Sequence, residues 1–304
     1  MRDSSLIGRV AIVTGGARGI GRILALALVR AGAQVLITAR SPAEIDRTVA
    51  DARSLAAGAC KGMVADVSER RDCEATVAAA ERLFGPVGVL VNNAGVGPGS
   101  LVPRDAAGTS DRFMDPDPAK RLRFWETDPD ACARLIATNL SGVYQMSQAA
   151  AGAMVERGFG RVVNISTSVP VMRMPGFSPY GPVKAAVEAS TLVWAQELAG
   201  SGVTANVLLP GGPTDTAFIP GGDVGVRAPV FAAGKQSAGL EGTNVNRFLL
   251  PPEIMAPPML WLASDGSAET SGRRIVARDW DPDLPVAAAA ERAMQPRSAA
   301  TVVM

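Results

Sequence analysis

A short apolar run, a cluster of glycines and a helical pattern constrain the fold of this chain more than any other feature. Residues 10–13 predict a buried strand, and Gly15, Gly19 and Gly21 follow it in a tight turn. From Ile20 onward, apolar residues recur at helical spacing, which predicts an amphipathic helix. Such a unit brings backbone N–H groups and the positive end of a helix dipole close to a pyrophosphate. A glycine turn that binds no ligand can also join a strand to a helix, and this motif alone leaves that alternative open.

Strand-like and helix-like patterns alternate along most of the chain. Strands are predicted at residues 10–13, 34–39, 61–65, 87–91, 161–165, 204–209 and 274–277. Helices are predicted up to residue 57 after a capping box at Ser41 and Glu44, and up to residue 84 after a cap at Ser68. A further helix is predicted to start at residue 129 and to carry Asn139, and others are predicted over residues 180–198 and 252–263. This alternation predicts an α/β fold with a Rossmann-type, doubly wound parallel β-sheet flanked by helices on both faces.

Two stretches rich in glycine and proline interrupt the alternation. Residues 96–126 predict a surface insertion, and residues 213–250 predict a substrate lid. We find no linker between two cores, so residues 1–280 are expected to form a single dinucleotide-binding and catalytic domain. Residues 281–304 are interpreted as a C-terminal tail, because they carry an alanine-rich patch without a core pattern.

The composition of the chain limits which binding partners and which types of catalytic residue it can have. The net charge is +1 with both signs interspersed, which favours neither nucleic acid nor an anionic membrane surface. No apolar run is long enough to span a bilayer. Three scattered cysteines are typical of a reducing compartment, and we expect a cytoplasmic protein. The chain has no histidine and no metal-ligand spacing, so we expect no metal site and a catalyst built from tyrosine, lysine, serine, threonine or carboxylates.

Six short motifs lie in order at the ends of the predicted strands. They are Thr14-Gly15-x-x-x-Gly19-x-Gly21, Asp66-Val67, Asn92-Asn93-Ala94-Gly95, Asn139, Tyr180-x-x-x-Lys184 and Pro210-Gly211. Over roughly residues 7–278 this order resembles the short-chain dehydrogenase/reductase family, in its compact single-domain branch. The resemblance implies an NAD(P)-dependent oxidoreductase that interconverts a ketone or aldehyde and an alcohol by hydride transfer.

The candidate catalytic residues are Asn139, Thr167, Tyr180 and Lys184. Tyr180 and Lys184 are four residues apart on a predicted helix, so both side chains point to one face. A phenol titrates near about pH 10, and a lysine cation one turn away lowers that pKa. The family resemblance makes Tyr180 the proton donor or acceptor for the substrate oxygen and assigns Lys184 to the nicotinamide ribose as well. It also implies that Asn139 holds a water molecule in a proton relay.

Thr167 marks a departure from the family pattern. The family usually has a serine thirteen residues before the tyrosine, whereas Thr167 stands there between Ser166 and Ser168. Threonine keeps the hydroxyl group but is stiff at χ1. Side chains alternate along a strand, so we expect Thr167 to face Tyr180 and the two serines to point away. A flanking serine taking over the role is the alternative.

Two arginines predict the choice of cofactor. Arg40 ends the second predicted strand, and Arg18 lies inside the glycine turn. Arginine at these positions suits a ribose 2′-phosphate, so NADP(H) is preferred over NAD(H); two solvated surface arginines are the alternative. The resemblance implies a wider set of cofactor-binding residues, in which Asp66 meets the adenine and Thr216 lies near the carboxamide: Gly15, Ala17, Arg18, Gly19, Ile20, Gly21, Arg40, Asp66, Val67, Asn93, Ala94, Gly95, Tyr180, Lys184, Pro210, Gly211, Pro213 and Thr216.

The substrate side is expected to be largely apolar. Candidate pocket residues for a small-molecule carbonyl or alcohol are Ser168, Val171, Met174 and Phe177. The resemblance also implies a homo-oligomer, a tetramer or a dimer, packed through the helices that contain Asn139 and Tyr180. Two other functions stay open: an NAD-dependent alcohol dehydrogenase of the same fold, and a non-catalytic cofactor-sensing or structural protein.

Overall fold

Seven parallel strands form one sheet in the computed structural model, which describes residues 6–101, 117–212, 214 and 249–296. The spatial order is β3-β2-β1-β4-β5-β6-β7, and every neighbouring pair runs parallel. The strands are β1 Val10–Thr14, β2 Gln34–Ala39, β3 Cys60–Val64, β4 Val87–Asn92, β5 Gly160–Ile165, β6 Val203–Leu209 and β7 Arg274–Val276. The predicted α/β fold is confirmed.

Helices cover both faces of the sheet. They are α1 Gly19–Arg30, α2 Pro42–Arg53, α3 Arg70–Phe84, α4 Pro129–Ile136, α5 Gly142–Glu156, α6 Val169–Met172, α7 Tyr180–Glu197, α8 Ala256–Ala263 and α9 Val286–Ala293. One core cluster joins the sheet to α1, α2, α8 and α9, and a second joins it to α3, α5 and α7. The strands β1, β4, β5 and β6 are buried along their whole length between these layers, whereas the edge strand β3 is mostly exposed. None of the helices described is long and apolar enough to cross a membrane.

The connectivity places a crevice at the centre of the sheet. The chain builds β1, β2 and β3 outward in one direction and then returns to place β4 on the other side of β1. Ligands of open α/β sheets bind outside the carboxyl ends of the strands at such a reversal. The motifs that follow β1 and β4 therefore meet at one place.

A buried polar chain ties the central strands to the helices behind them. The Asn92 amide donates to Asn164 Oδ1 at 2.8 Å and to Ser147 Oγ at 3.0 Å. Asn164 donates to Thr191 Oγ1 at 2.8 Å. Polar groups this deeply buried are costly unless they are hydrogen-bonded, so these contacts restrict how β4, β5, α5 and α7 can pack.

Two predicted helix boundaries are wrong. Ser68 does not cap α3, because its hydroxyl donates to Asp66 Oδ1 at 2.7 Å and the helix begins at Arg70, after the N-cap residue Glu69. The predicted cap of α2 is present, with Ser41 Oγ accepting from Glu44 N. That helix ends at Arg53 rather than at residue 57, since residues 54–59 turn back toward β3.

The interpretation of the C-terminal residues as a tail without a core pattern is also corrected. Helix α9 buries Ala289, Ala290 and Ala293, and Ala290 and Ala293 belong to the larger core cluster. Met294 forms an antiparallel bridge with Ile275. Small alanine side chains allow close packing without a strong periodic signal, which is why the sequence pattern did not reveal this contact.

The two predicted loop excursions are described only in part. At the ends of the 96–126 insertion, Leu101 and Leu122 are buried against Leu135 and Tyr180, whereas residues 102–116 lie outside the described residues. Of the predicted lid, Thr214 forms a bridge with Leu250. Residues 213 and 215–248, which include the candidates Pro213 and Thr216, lie outside the described part of the chain.

Candidate active site

The turn after β1 has backbone angles and a close backbone contact that require glycine. Gly15 and Gly19 have φ angles of +61° and +52°, in the left-handed region that side chains disfavour. A Cβ atom at Gly21 would overlap the Gly15 carbonyl oxygen. The first turn of α1 therefore packs directly on the loop that precedes it.

Thr14 and Asn93 hold this turn against the end of β4. The Thr14 hydroxyl accepts hydrogen bonds from the backbone N–H groups of Asn93 and Ala94, both at 3.0 Å. The Asn93 amide donates to the carbonyl oxygens of Thr14 and Gly15, at 2.9 and 3.1 Å. The side chain of the candidate Asn93 thus braces the loop. Thr14, which begins the first motif, was not singled out from the sequence as a site residue.

The N-terminus of α1 fits a phosphate group. Its N-cap residue, Arg18, makes no side-chain capping hydrogen bond to any residue the structure describes. Beside it, Ala17 is buried and its carbonyl accepts from Thr48 Oγ1 at 2.8 Å, and Ile20 packs against the core. Backbone N–H groups of an uncapped helix start, carried on a glycine loop, are a ready site for a dinucleotide pyrophosphate.

Two arginine side chains extend from the rim of this loop. Arg18 lies 3.5 Å from Glu44 and is 68 % exposed, and Arg40 lies 3.8 Å from Asp66 and is 67 % exposed. Such exposed pairs are weak, so both guanidinium groups are available to a stronger anion. Asp66 itself accepts from the backbone and the hydroxyl of Ser68.

The remaining cofactor candidates lie at the ends of the next strands. Val67 is buried, and a Cβ at Gly142 would overlap its side chain. Gly95 lies against the Asn139 amide. Beyond β6, Pro210 O accepts from Arg278 N at 3.0 Å, and Gly211 has a φ angle of +90°.

Tyr180 and Thr167 meet at the buried end of the site. Tyr180 begins α7 and is 6 % exposed. Burial raises the pKa of Tyr180 well above its usual value, and hydrogen bonding by the Thr167 side chain lowers that pKa only partly. The phenol is therefore a protonated hydrogen-bond donor at neutral pH.

The Lys184 amine is bound to the backbone at the end of β5. Its Nζ atom donates to Ile165 O at 2.8 Å. Burial lowers the pKa of Lys184 to about 8, against the opposing charge of Glu188. Burial and the Thr167 side chain account for the shift of the Tyr180 pKa, so the lowering of that pKa by Lys184 stays a prediction.

Asn139 lies in a wide helical turn between α4 and α5. Residues Ala137–Ser141 form a π-helix, a feature frequent at functional sites. The Asn139 side chain is fully buried; it accepts from Val96 N at 2.8 Å and donates to Val96 O at 2.9 Å. Because both ends of the amide bind this backbone, Asn139 anchors the start of the 96–126 insertion beside the site.

The three hydroxyl residues around Thr167 have different surroundings. Ser166 N continues the ladder to Leu208 O at 3.0 Å, and Ser166 Oγ is buried without a hydrogen-bond partner among the described residues. Ser168 is the N-cap residue of α6. Of the three, Thr167 is the one that influences the pKa of Tyr180, and its role toward a substrate stays a prediction.

Tyr180 belongs to an apolar cluster that contains three of the candidate substrate residues. Phe177 lies edge-on to Tyr180, with ring centroids 6.5 Å apart, and Val171 and Met174 pack on the same cluster. Leu101 and Leu122 complete it, and neither was singled out from the sequence as a site residue. Their apolar character inside an irregular loop was the available signal.

Two buried charges near the site were also missed. Glu188 is one turn beyond Lys184 on α7, and Arg274 lies on β7 within 2.8 Å of Thr167 O. Glu188 was hidden within a helical pattern, and Arg274 stands in an otherwise apolar strand. A charged residue at the start of a short apolar strand was the signal that could have identified Arg274.

Comparisons with known proteins agree with this arrangement. The family model described as short chain dehydrogenase matches residues 9–219. A short-chain type dehydrogenase/reductase of Picea abies is 37 % identical over 270 residues, which is 85 % of this chain and 86 % of that protein. A 3-oxoacyl-[acyl-carrier-protein] reductase of Thermotoga maritima is 31 % identical, over 89 % of this chain and 96 % of its own. The solved structure of a putative short-chain alcohol dehydrogenase from Sinorhizobium meliloti has a TM-score of 0.72 and 27 % identity, covering 90 % of this chain and 96 % of its own.

The position of Thr167 predicts which hydroxyl matters. Thr167→Val removes the hydroxyl group proposed to orient the substrate oxygen and should lower turnover by about 10²–10³-fold, the usual loss for one preorganised donor. Thr167→Ser should keep most of the turnover, and Ser166→Ala and Ser168→Ala should be mild. Steady-state kinetics on the four variants provides the measurement. An inactive Ser168→Ala variant together with an active Thr167→Val variant would show that the assignment to Thr167 is wrong.

Proposed function

The chain belongs to the short-chain dehydrogenase/reductase family and is an NAD(P)-dependent oxidoreductase, and we propose that it interconverts a ketone or aldehyde and an alcohol with NADP(H) as the preferred cofactor. The observation that carries this proposal is the buried phenol of Tyr180, which packs in an apolar cluster and is influenced by the Thr167 side chain. At this place a carbonyl oxygen would meet the hydroxyl groups of Tyr180 and Thr167.

The nicotinamide, when bound, supplies or accepts the hydride. Tyr180 donates its phenolic proton to the substrate oxygen in reduction and takes it back in oxidation. The raised pKa of Tyr180 favours the donor form. Thr167 orients the oxygen and stabilises the negative charge that develops on it.

Lys184 and Asn139 are proposed to return the proton to Tyr180. The Lys184 amine lies one helical turn from the phenol and is proposed to hold the ribose hydroxyls. Since the Asn139 amide is engaged with the Val96 backbone, a water molecule in the relay would be held by the main chain of Asn139.

The NADP(H) preference is supported by Arg18 and Arg40. Both side chains extend from the rim of the glycine loop and are more than half exposed, and their present carboxylate partners are weakly bound. A 2′-phosphate offers more charge and more acceptor oxygens than either carboxylate. In the alternative, an NAD-dependent enzyme, the pairing of Arg18 with Glu44 and of Arg40 with Asp66 would persist in the complex.

A panel of carbonyl compounds tests the activity. We expect turnover of at least one ketone or aldehyde with NADPH, with ethyl acetoacetate as a 3-oxo probe, measured by absorbance of the reduced nicotinamide. Tyr180→Phe should lower that rate by about 10²–10⁴-fold, the usual share of general acid–base catalysis, with the Kd for NADPH unchanged.

Tyr144→Phe is the matched control, since Tyr144 lies on α5 with its hydroxyl against Ser190, and this variant should keep its activity. Tight NADPH binding without turnover of any compound would instead favour the cofactor sensor, and a fully active Tyr180→Phe would refute the catalytic assignment.

Arg40→Asp tests the cofactor preference. The new carboxylate repels a 2′-phosphate and can accept from a ribose hydroxyl, so the ratio of kcat/KM for NADPH over NADH should fall by at least about tenfold, which is 1.4 kcal/mol. Arg30→Asp makes the same charge change at the exposed far end of α1 and should leave the ratio unchanged. A wild-type enzyme that already prefers NADH would show that the two arginines do not select the cofactor.

We also propose that the protein assembles as a homo-oligomer, a dimer or a tetramer. Exposed apolar side chains on the two long helices support this: Leu192 and Val193 on α7 are 39 % and 50 % exposed, and Val155 on α5 is 42 % exposed. Light scattering at micromolar concentration should give at least twice the 31.3 kDa mass of one chain, and Val193→Glu should reduce it. A monomeric wild type would contradict this proposal.

A further inference from the structure

An ion pair in the interior joins α7, the helix that carries Tyr180 and Lys184, to strand β7. The Nε atom of Arg274 is 3.1 and 3.0 Å from the two carboxylate oxygens of Glu188. Glu188 is 4 % exposed, and the Arg274 side chain is 13 % exposed. Buried ion pairs are weak sources of stability, because desolvation offsets their attraction. Stability alone therefore gives little reason for this pair.

The same guanidinium reaches the backbone at the catalytic hydroxyl. Its Nη2 atom donates to Thr167 O at 2.8 Å. Thr167 stands between the end of β5 at Ile165 and the start of α6, where the chain leaves the sheet. A peptide held at its carbonyl oxygen cannot rotate freely, so this bond also restricts the direction of the Thr167 side chain.

The third nitrogen of Arg274 is held from the C-terminal side. Nη1 donates to Gln295 Oε1, and Gln295 N donates to Arg274 O at 2.9 Å. We call residues 286–296, which comprise α9 and the residues after it, the C-terminal arm. The arm is itself anchored by the bridge from Met294 to Ile275 and by the buried alanines of α9.

We propose that Arg274 is a positioning residue that sets the backbone of Thr167 and thereby the hydroxyl that orients the substrate oxygen, with Glu188 and Gln295 holding its guanidinium in place. This inference rests on the role proposed above for Thr167. A planar guanidinium presents several donors in a fixed fork, which a lysine ammonium cannot reproduce. The C-terminal arm thus belongs to the framework of the active site.

The Arg274→Lys variant separates positioning from folding. It keeps a cation for Glu188 but loses the fork that reaches Thr167. We expect kcat for ethyl acetoacetate, or for the fastest ketone of the panel, to fall by about tenfold or more, within the range of coupling in one hydrogen-bond network. The Kd for NADPH should stay within about twofold, because the glycine loop is untouched. An unchanged kcat would overturn the proposal.

Arg161→Lys is the matched control. Arg161 is 2 % exposed and its guanidinium also forks onto backbone carbonyls, those of Ser264, Gly160 and Gly202. It lies near the start of β5, at the opposite end of the sheet from Thr167. We expect this variant to lower thermal stability and to leave kcat unchanged. If kcat falls equally in both variants, the effect of Arg274→Lys follows from replacing any arginine of the interior and does not depend on Thr167. That result would overturn the proposal.

A double-mutant cycle tests whether Arg274 acts through Thr167. Thr167→Val is made in the wild type and in Arg274→Lys, and kcat is compared. If the hydroxyl is already misplaced in Arg274→Lys, its removal there should cost several-fold less than in the wild type. Equal costs in the two backgrounds would show independent residues and would overturn the proposal.

A crystal structure of Arg274→Lys provides a readout that needs no substrate. We expect the Thr167 carbonyl to turn and the Thr167 side chain to change direction relative to Tyr180, and an undisturbed Thr167 would overturn the proposal. If the wild type reduces no compound of the panel, the proposed function fails, while this crystal structure still decides whether Arg274 positions Thr167.

Discussion

The hydroxyl of Thr14 joins the two strands between which the chain reverses direction, and the geometry of the site depends on this contact. It accepts from two consecutive N–H groups at the end of β4 and donates to Val91 O at 3.3 Å. Asn93 completes the connection by donating to the carbonyls of Thr14 and Gly15. The glycine loop, the start of α1 and the loop after β4 are therefore fixed relative to one another before any ligand binds, which is the preorganisation that binding and catalysis both require.

Burial has opposite effects on the two titratable residues of the site. It raises the pKa of Tyr180 and lowers that of Lys184 to about 8, so that both shifts favour the neutral form. Thr167, acting on Tyr180, and the charge of Glu188, acting on Lys184, oppose these shifts. The acid–base properties of the pair consequently depend on burial and on residues outside the four-residue spacing: Thr167, between β5 and α6, and Glu188 on α7.

Paired and hydrogen-bonded groups occupy the interior around the site, and they connect distant parts of the chain. Asn92 and Asn164 link β4 and β5 to the helices behind them. Arg274 links α7, the end of β5 and the C-terminal arm. A buried polar group without a partner is costly, so each of these contacts limits the alternative packings of the layers. Specificity of packing, more than net stability, is what such pairs contribute in this molecule.

Local patterns in the sequence were enough to predict the class of fold, the order of the motifs and most strand positions: apolar runs, glycines with special φ angles and polar residues at strand ends. Local geometry also singled out Tyr180 and Thr167 as candidates, since helix spacing and strand alternation are properties of short segments. Tertiary structure alone decided the direction of the Lys184 amine, the engagement of the Asn139 amide with Val96, and the place of Arg274 and Gln295 beside Thr167. These contacts join residues that are far apart in the chain. Which acceptor each donor binds depends on burial and on the other acceptors nearby, and neither can be read from a short stretch of sequence. The alanines of α9 show the same limit, because a side chain too small to give a periodic signal can still pack into the core.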